Sequence, residues 1–403
     1  MAHLELTETH PGPVVTEEKE CRVCTRCIMD TSVPGITFDG EGVCNFCRVQ
    51  DNLEKAFPLN EEGQRKWSAI IRRIKREGRS KKYDCVIGIS GGRDSIYSLY
   101  LVKKVYGLRP LAVHFNDGFG NPVAGENMTR AVTRLGVDLR TITSDWRESK
   151  DLKIAFLKAS TPELEIGTDI GIATALYGVA VKEKVKHVII GQSFRTEGIS
   201  PLSWNYLDGK YLESVHRQFG TVELRKWRPA DPGFNLNLFH MFYYTLWKGI
   251  GVVPLLYYVN YVRREAEEII KKEFDWVYPG AHYFDDLYQS LVTYVLRVKF
   301  KIDRRKFNYS ALVRSGQMTR EQALEAIKEI YVIEDPDVIR LCVKRLGISK
   351  EEFEECLTRP VKTFRDYPNH YRWIEKLKVP VQILTRLNLL PGTTYDKYFN
   401  CGL

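Results

Sequence analysis

The sequence predicts an α/β fold: a doubly wound, mostly parallel sheet, preceded by a cysteine-rich segment and followed by a helical region. Three observations lead there. Between residues 58 and 230, short apolar runs alternate with helical stretches, the pattern of parallel strands joined by crossover helices. The first clear run, Cys85 to Ile89, passes through Ser90-Gly91-Gly92-Arg93-Asp94-Ser95 into a helical pattern at Ile96, Leu99, Val102 and Val105. From about Phe234 onward the pattern is helical, and Thr319-Arg-Glu-Gln322 and Ser349-Lys-Glu-Glu352 read as capping boxes. The expected organisation is residues 1–57 for the cysteine region, 58–230 for the α/β domain and 231–403 for a helical substrate or partner region.

The elements follow in order. Met1 to Glu20 is polar and acidic, so no secretory pattern is present and a cytoplasmic protein is expected. Five of the nine cysteines fall between Cys21 and Cys47. Cys24-Thr-Arg-Cys27 and Cys44-Asn-Phe-Cys47 form two C-x2-C pairs, with Pro34-Gly35 and Asp39-Gly40-Glu41-Gly42 as turns between them. Four thiolates at this spacing suit a tetrahedral Zn2+ that stabilises a knuckle or ribbon too small for its own core. Cys21 is left over, and could replace Cys24 in another register. An iron–sulfur cluster is the competing occupant; a set of disulfides suits a cytoplasmic protein less. Asp51 to Lys55 reads as a charged linker.

In the α/β part, Trp67 to Arg79 reads as a basic helix and Cys85 to Ile89 as the first strand. Leu111 to Phe115 is the second strand, Asn127 to Leu135 a helix and Asp138 to Ile142 the third strand. Ile170 to Glu183 is an apolar helix, and His187 to Gly191 the fourth strand. Ligands of such sheets sit at the carboxyl ends of the strands, so Ser90, His114 to Asp117 and Gly191-Gln192-Ser193 are the positions to watch. Met241 to Val262 is apolar and near membrane-spanning length. Lys248, Gly249, Gly251, Pro254 and Asn260 interrupt it, so a buried helix, or two short helices meeting at Pro254, is expected rather than a span, with interfacial membrane contact as the lesser alternative. Gly347 is expected to close the helix before Ser349.

The chain has 403 residues, 44% of them hydrophobic and 28% charged, which suits a globular protein of two or three domains. A formal net charge of +9 favours anionic partners. It does not choose among nucleotides, sugar nucleotides and nucleic acid.

A strand, a glycine turn and a helix aim backbone N–H groups at a phosphate, and the glycines let the anion approach. Ser90 and Ser95 add hydroxyls, Arg93 a cation, and Asp94 suits a magnesium-side ligand or a clamp on the loop. The Walker A pattern G-x-x-x-x-G-K-[ST] is absent. The loop resembles the S-G-G-x-D-S loop of the PP-loop ATP pyrophosphatases, which cleave ATP between the α and β phosphates and adenylate an oxygen of their substrate. Arg93 stands where lysine is common in such loops. Further on, Arg297-Val-Lys-Phe-Lys-Ile-Asp-Arg-Arg-Lys306 is either a solvated helix face or a cationic wall of the substrate site. Its candidates are Lys299, Lys301, Asp303, Arg304 and Arg305.

With these pieces together the chain resembles the N-acetyl sugar amidotransferases of bacterial surface-polysaccharide (O-antigen) biosynthesis. The matching segments are Cys24-Thr-Arg-Cys27-Ile-Met-Asp, Pro34-Gly-Ile-Thr-Phe-Asp39, Gly42-Val-Cys-Asn-Phe-Cys47, the Ser90–Ser95 loop, Lys299-Phe300 with Asp303-Arg304-Arg305, and Ser315-Gly-Gln-Met-Thr-Arg-Glu-Gln-Ala323. The resemblance implies an ATP-dependent ligase that converts an acetamido group of a nucleotide-linked sugar into an acetamidino group, through an adenylated amide attacked by ammonia. It also implies ATP and Mg2+ as cofactors, beside the Zn2+ expected from the cysteine spacing, and no nucleic acid partner; the residues themselves argue against a membrane span. Asparagine synthetases of this type carry a glutaminase with an N-terminal cysteine. Here the chain begins Met1-Ala2-His3 and Cys21 lies too close to the knuckle. A separate class I glutaminase subunit, with or without a cyclase-like channel subunit, is therefore the expected ammonia source, with free ammonia the other route.

The expected catalytic residues are Ser90, Asp94, Lys299 and Arg305. The expected cofactor-binding residues are Ser90, Gly91, Gly92, Arg93, Asp94, Ser95, His114, Asn116, Gly191 and Gln192, and the metal ligands Cys24, Cys27, Cys44 and Cys47. Asp169 reads as a helix cap or a site residue, and Arg195 and Glu197 as substrate contacts. Two other readings stand beside this one. A tRNA-thiolating PP-loop enzyme suits the positive charge, but Cys85 in its apolar strand is a poor sulfur carrier. A catalytically silent nucleotide-binding scaffold is the second.

Overall fold

The computed structural model describes residues 21–225, 235–279, 285–329, 331–387, 390 and 394–399. The acidic leader Met1 to Glu20 and the expected domain boundary at residue 230 lie outside the described residues.

Five parallel strands form one sheet: β1 (Cys85–Gly88), β2 (Pro110–Asn116), β3 (Leu139–Thr143), β4 (His187–Ile190) and β5 (Gly251–Pro254). Their order is β3-β2-β1-β4-β5. The register runs Val86 opposite Leu111 and Val188, and Val188 opposite Val252. The chain winds outward from β1 through β2 to β3, then returns to lay β4 on the other side of β1. That reversal opens a crevice at the carboxyl ends of β1 and β4. Cys85, Val86 and Ile87 have no exposed surface, because helices cover both faces, as a parallel sheet requires. β3 is an edge strand and stays half-exposed.

Helices α1 (Asn45–Ala56) and α2 (Glu61–Gly78) precede the sheet. Within it run α3 (Arg93–Tyr100), α4 (Pro122–Leu135), α5 (Trp146–Ala159), α6 (Ile166–Lys182), α7 (Gly209–Phe219) and α8 (Leu238–Phe242). α6 is apolar on nearly every side, which is why it lies within the main core beside Val86, Val113 and Val188. After β5 come α9 (Arg263–Phe274), α10 (Tyr288–Phe300), α11 (Arg305–Arg314), α12 (Arg320–Ala326), α13 (Pro336–Leu346), α14 (Lys350–Thr358), α15 (Tyr371–Lys376), α16 (Lys378–Arg386) and α17 (Thr394–Phe399). Both capping boxes form, at Thr319 with Gln322 and at Ser349 with Glu352. Gly347 ends α13 in the left-handed conformation, φ 65°.

Three expectations change. Asp51 to Lys55 is not a linker but the second half of α1, because Phe46, Val49 and Leu53 recur at helical spacing and are buried. The apolar segment from Met241 is not one helix or two. α8 runs into a wider π-type turn, Tyr243–Trp247, and after Gly249 the chain becomes β5. Glycine and β-branched Val252-Val253 oppose a helix there, and the open side of β4 offers a ladder. The sheet therefore takes its fifth strand from beyond residue 230. Among the described residues no helix is long and apolar enough to cross a membrane.

The cysteine region is fastened to the sheet. Arg195, buried after β4, donates through Nε and Nη2 to the Glu54 carboxylate of α1 at 3.0 and 2.6 Å, and also to the carbonyls of Phe57 and Tyr257. Phe57 packs edge-on against Tyr257 and Tyr258, with ring centres 5.1 and 5.2 Å away.

Ile87 sits at the centre of the sheet with no exposed surface. Ile87→Ala is expected to lower stability by about 2–5 kcal/mol, since the closed core relaxes only partly around the lost atoms. Denaturant titration checks this.

Candidate functional site

The Ser90–Ser95 loop stands at the switch point, between β1 and α3. Gly91 adopts φ +85°, and a Cβ there would meet the Ala124 carbonyl oxygen at 1.9 Å. Only glycine fits. Gly92 is the N-cap of α3, so the first-turn N–H groups of that helix face the crevice. Ser95 Oγ donates to the Gly92 carbonyl at 2.9 Å and accepts from the Ser90 N–H at 3.2 Å, which closes the loop on itself. Trp276 Nε1 donates to the Gly91 carbonyl at 3.0 Å, and Asn127 pairs with both backbone groups of Val277 beside it.

Arg93 and Asp94 are buried and paired. Arg93 Nε donates to Asp94 Oδ1 at 2.9 Å and to the Tyr261 hydroxyl oxygen at 3.1 Å, and its guanidinium lies 3.8 Å from Glu267. The Tyr261 hydroxyl donates to the same Asp94 oxygen. Burial, with the Asp94 charge beside it, holds the Tyr261 phenol far above its ordinary pKa, so it remains a donor. This is the geometry of a clamp on the loop. The positive charge of Arg93 is matched locally by carboxylates.

A cavity of about 480 Å³ opens over the loop. His114 and Asn116 line it from the end of β2, and Gly191 and Gln192 from the end of β4. His114 Nδ1 is 3.2 Å from the Ile89 carbonyl. Burial lowers its pKa, so the neutral ring donates from Nδ1 and keeps Nε2 as an acceptor. The Asn116 side chain accepts from the Gly118 N–H at 3.0 Å and shapes the next turn.

A second cavity of about 300 Å³ shares Glu165, Asp169, Gln192, Glu197 and Gln289 with the first. The two are lobes of one cleft. Trp204, Phe307 and Arg304 belong to the second lobe alone. Arg304 donates to Glu165 at 3.2 Å and to Gln289 at 2.8 Å.

Carboxyl groups dominate the cleft. Burial, reinforced by the Asp94 charge, pushes Glu197 up to about 8. Burial pushes Asp285 up to about 6, against a hydrogen bond from Ser90. Asp117 is buried too, yet Lys153 at 2.7 Å and Thr168 at 2.6 Å hold it below the usual carboxylate range. Crowded acids beside an anion-binding loop are a donor set for a hard divalent cation.

The other expected residues separate. Lys299 and Arg305 line neither lobe. Lys299 Nζ donates to the carbonyls of Cys356 and Arg359. Arg305 forks onto Asp303 and reaches the Glu329 carbonyl at 2.6 Å. Lys301 ends α10 at φ 58°, and the turn that follows leaves Arg304 as the cation facing the cleft. Arg195 is bound to α1, away from the cleft, whereas Glu197 lines both lobes. Asp169 lies in the first turn of α6, where Glu165 is the N-cap, and also lines both lobes. Asp285, Asp286, Gln289 and Tyr261 carry no motif of their own. The end of an apolar run at Tyr261 and the doublet Asp285-Asp286 were the only signals.

The four cysteines Cys24, Cys27, Cys44 and Cys47 are buried, with their sulfurs within 4.8 Å of one another. The pairs Cys24–Cys47, Cys27–Cys44 and Cys44–Cys47 are 3.8, 3.7 and 3.6 Å apart. A tetrahedron with zinc–sulfur distances of about 2.3 Å has edges of about 3.8 Å. The cage thus fits one ion, while a cubane binds each thiolate through a different iron and needs a wider one. Cys21 is exposed and outside the set. Arg314 Nη1 lies 3.8 Å from Cys27 Sγ, and Arg320 donates to the carbonyls of Cys24 and Cys27.

Comparison with known proteins adds the following. Residues 263–378 match the family described as LPS biosynthesis protein WbpG-like, C-terminal domain. An uncharacterized protein of Methanocaldococcus jannaschii is 27% identical over 129 residues, which cover 32% of this chain and 44% of that protein. The chain thus spans less than half the length of that curated relative. Among solved structures, the NH3-dependent NAD synthetase of Campylobacter jejuni aligns over 74% of this chain and 98% of its own, at 14% identity and a TM-score of 0.27. The U34-tRNA thiolase of Methanococcus maripaludis aligns over 77% and 90%, at 13% identity and 0.29. These scores are low, and the fold stands on the strand order and register above.

Elemental analysis is expected to find zinc equimolar with the chain and no iron; Cys27→Ser should lose the metal and lower the melting temperature. Because Glu197 binds its proton more tightly when folded, it lowers stability progressively as pH rises from the unfolded value near 4.5 to about 8. Glu197→Gln should therefore gain stability over the wild type at pH 8 and much less at pH 5, as read by thermal melts.

Proposed function

We infer that the chain is an ATP-dependent, AMP-forming ligase of the PP-loop type, acting on the N-acetyl group of a nucleotide-linked sugar in surface-polysaccharide biosynthesis. The observation that carries this is the two-lobed cleft: a phosphate loop in one lobe, a second lobe for an acceptor, and shared residues where they meet. The segment matching the WbpG-like C-terminal family supplies Gln289, Val292, Arg304 and Phe307 to the second lobe, which supports an acceptor of that kind.

On this reading ATP lies along the first lobe, its β and γ phosphates on the Ser90–Ser95 loop and its adenosine toward His114 and Asn116. Mg2+, held among Asp94, Asp285 and neighbouring carboxylates, would supply charge neutralisation. The acetamido oxygen reaches the α-phosphate at the junction, near Gln192. Its adenylation turns a poor leaving group into a good one. Ammonia then attacks the same carbon and AMP departs with the oxygen. Positioning and charge stabilisation are the work left to the protein. Trp204 and Phe307 offer apolar surface for a sugar ring, and Gln289 and Arg304 offer hydrogen bonds. A separate glutaminase subunit supplies the ammonia. The zinc of Cys24, Cys27, Cys44 and Cys47 is structural.

Thiolation fits less well. Among the described residues no cysteine lines either lobe, and burial raises the thiol pKa of both Cys85 and Cys342, the latter to about 12.

The test is a product assay with ATP, Mg2+, ammonium chloride and a UDP-linked di-N-acetylated sugar. The expected result is AMP, pyrophosphate and a sugar in which NH replaces one oxygen, seen by mass spectrometry. Gly91→Ala should lower turnover at least about 100-fold by displacing the loop. AMP release stimulated by tRNA, with an unmodified sugar, would overturn the reading.

A further inference from the structure

A hydrophobic face is left uncovered near the amino ends of β4 and β5, at the opposite end of the strands from the cleft. α8 and the π-type turn after it present Phe239, Tyr243, Leu246 and Trp247 at helical spacing, with relative exposures of 73, 41, 55 and 80%. The opposite side of the same turn, Tyr244 and Thr245, is buried, and Tyr244 stacks on Tyr177 of α6 at 4.8 Å. The element is thus fixed in place, and its apolar side faces outward by construction. Isolated exposed apolar residues are ordinary, but a contiguous group containing Trp, Phe and Tyr marks a contact surface.

Its flank at the amino ends of β4 and β5 is basic, while at the α15 end Asp208 is taken up by His370. From residue 235 to 262 the sequence holds no Asp or Glu. Lys248 follows Trp247, and its ammonium lies 5.3 Å from the Tyr243 ring centre. Lys186 donates to the Lys248 carbonyl, and Lys182, Lys184 and Lys186 are all exposed. The acid among them, Glu183, is paired with Arg140 at 2.7 Å. At the other end of the element Phe239 touches His370 edge-on, at 6.4 Å between ring centres, and Trp373 on α15 is 63% exposed. Glu375 is the acid on that helix, set against Arg372 and Lys376.

We propose that this face docks the protein on an anionic lipid bilayer. Aromatic and leucine side chains with a rim of lysines, on an element too short to span, are the chemistry of an interfacial contact. Placement agrees. Lys186 and Lys248 stand at the amino ends of β4 and β5, whereas the cleft opens at the carboxyl ends. A bilayer here leaves the cleft open. The inference does not depend on which reaction the cleft performs.

The full chain is sedimented with vesicles of phosphatidylglycerol and phosphatidylcholine, or of phosphatidylcholine alone, at low and high salt. The expected result is binding to the anionic vesicles, weakened by salt. Phe239→Ser/Trp247→Ser should lower that partitioning at least about tenfold by removing the inserted rings. Lys184→Glu/Lys186→Glu, which leaves the apolar side intact, should do the same by reversing the field, each lysine being worth about fivefold near a charged surface. Circular dichroism and melting curves establish that both variants fold. No binding to anionic vesicles at low salt, or equal binding by the wild type and both folded variants, overturns the proposal. So does light scattering that shows a dimer converted to a monomer by Phe239→Ser/Trp247→Ser without vesicle binding, which would assign the face to a second copy.

Discussion

The hydrogen bond from Tyr261 to Asp94 ties the Ser90–Ser95 loop to the rest of the molecule. A glycine loop alone is a flexible anion trap. Here its first helical turn is held by a phenol that burial keeps protonated, and by the guanidinium of its own neighbour Arg93. Tyr261 is held in turn. The Gln317 side chain donates to the Tyr261 carbonyl and accepts from the Arg263 N–H, both at 3.0 Å. The loop of the α/β domain is therefore shaped by residues about 170 and 220 positions further along the chain, a dependence that local propensity cannot supply.

The same late segment also holds the cysteine knuckle. Ser315 donates to the Arg195 carbonyl, Arg314 to Gln50, and Arg320 to the knuckle carbonyls. One short stretch, Arg314 to Arg320, thus bridges the metal cage, the segment after β4 and the residue that clamps the loop. This gives the cysteine cage a physical role at a distance from the cleft. It fixes the wall against which α11 and the 315–320 turn pack, and through Gln317 it bears on Tyr261.

The cleft's electrostatics run against the chain's overall sign. The protein is basic, yet the residues shared by the two lobes include Glu165, Asp169 and Glu197, with Arg304 as the facing cation of the second lobe. On the function proposed above, phosphates would lie over the loop with a divalent cation between them and the carboxylates. On the same reading the second lobe would take the uncharged, hydroxyl-rich part of the acceptor, and a diphosphate carrier would lie outside it.

By itself the sequence determined whatever depends on short spacing. The four cysteines, the glycine loop, the strand cores at Cys85, Leu111 and His187, the capping boxes and Gly347 all follow from local geometry, and the structure has them where the pattern puts them. The tertiary structure decided what depends on direction across the chain. β5 was illegible because a run such as Gly251–Pro254 becomes a strand only where β4 offers an open edge. Arg304 rather than Lys299 or Arg305 faces the cleft because Lys299 is taken up by the Cys356 and Arg359 carbonyls and Arg305 by Asp303 and the Glu329 carbonyl. Asp285 comes to the loop only when segments on both sides of it close over the crevice, and burial then raises its proton affinity and that of Glu197, a residue the sequence had singled out only as a contact. No spacing in the sequence records that enclosure.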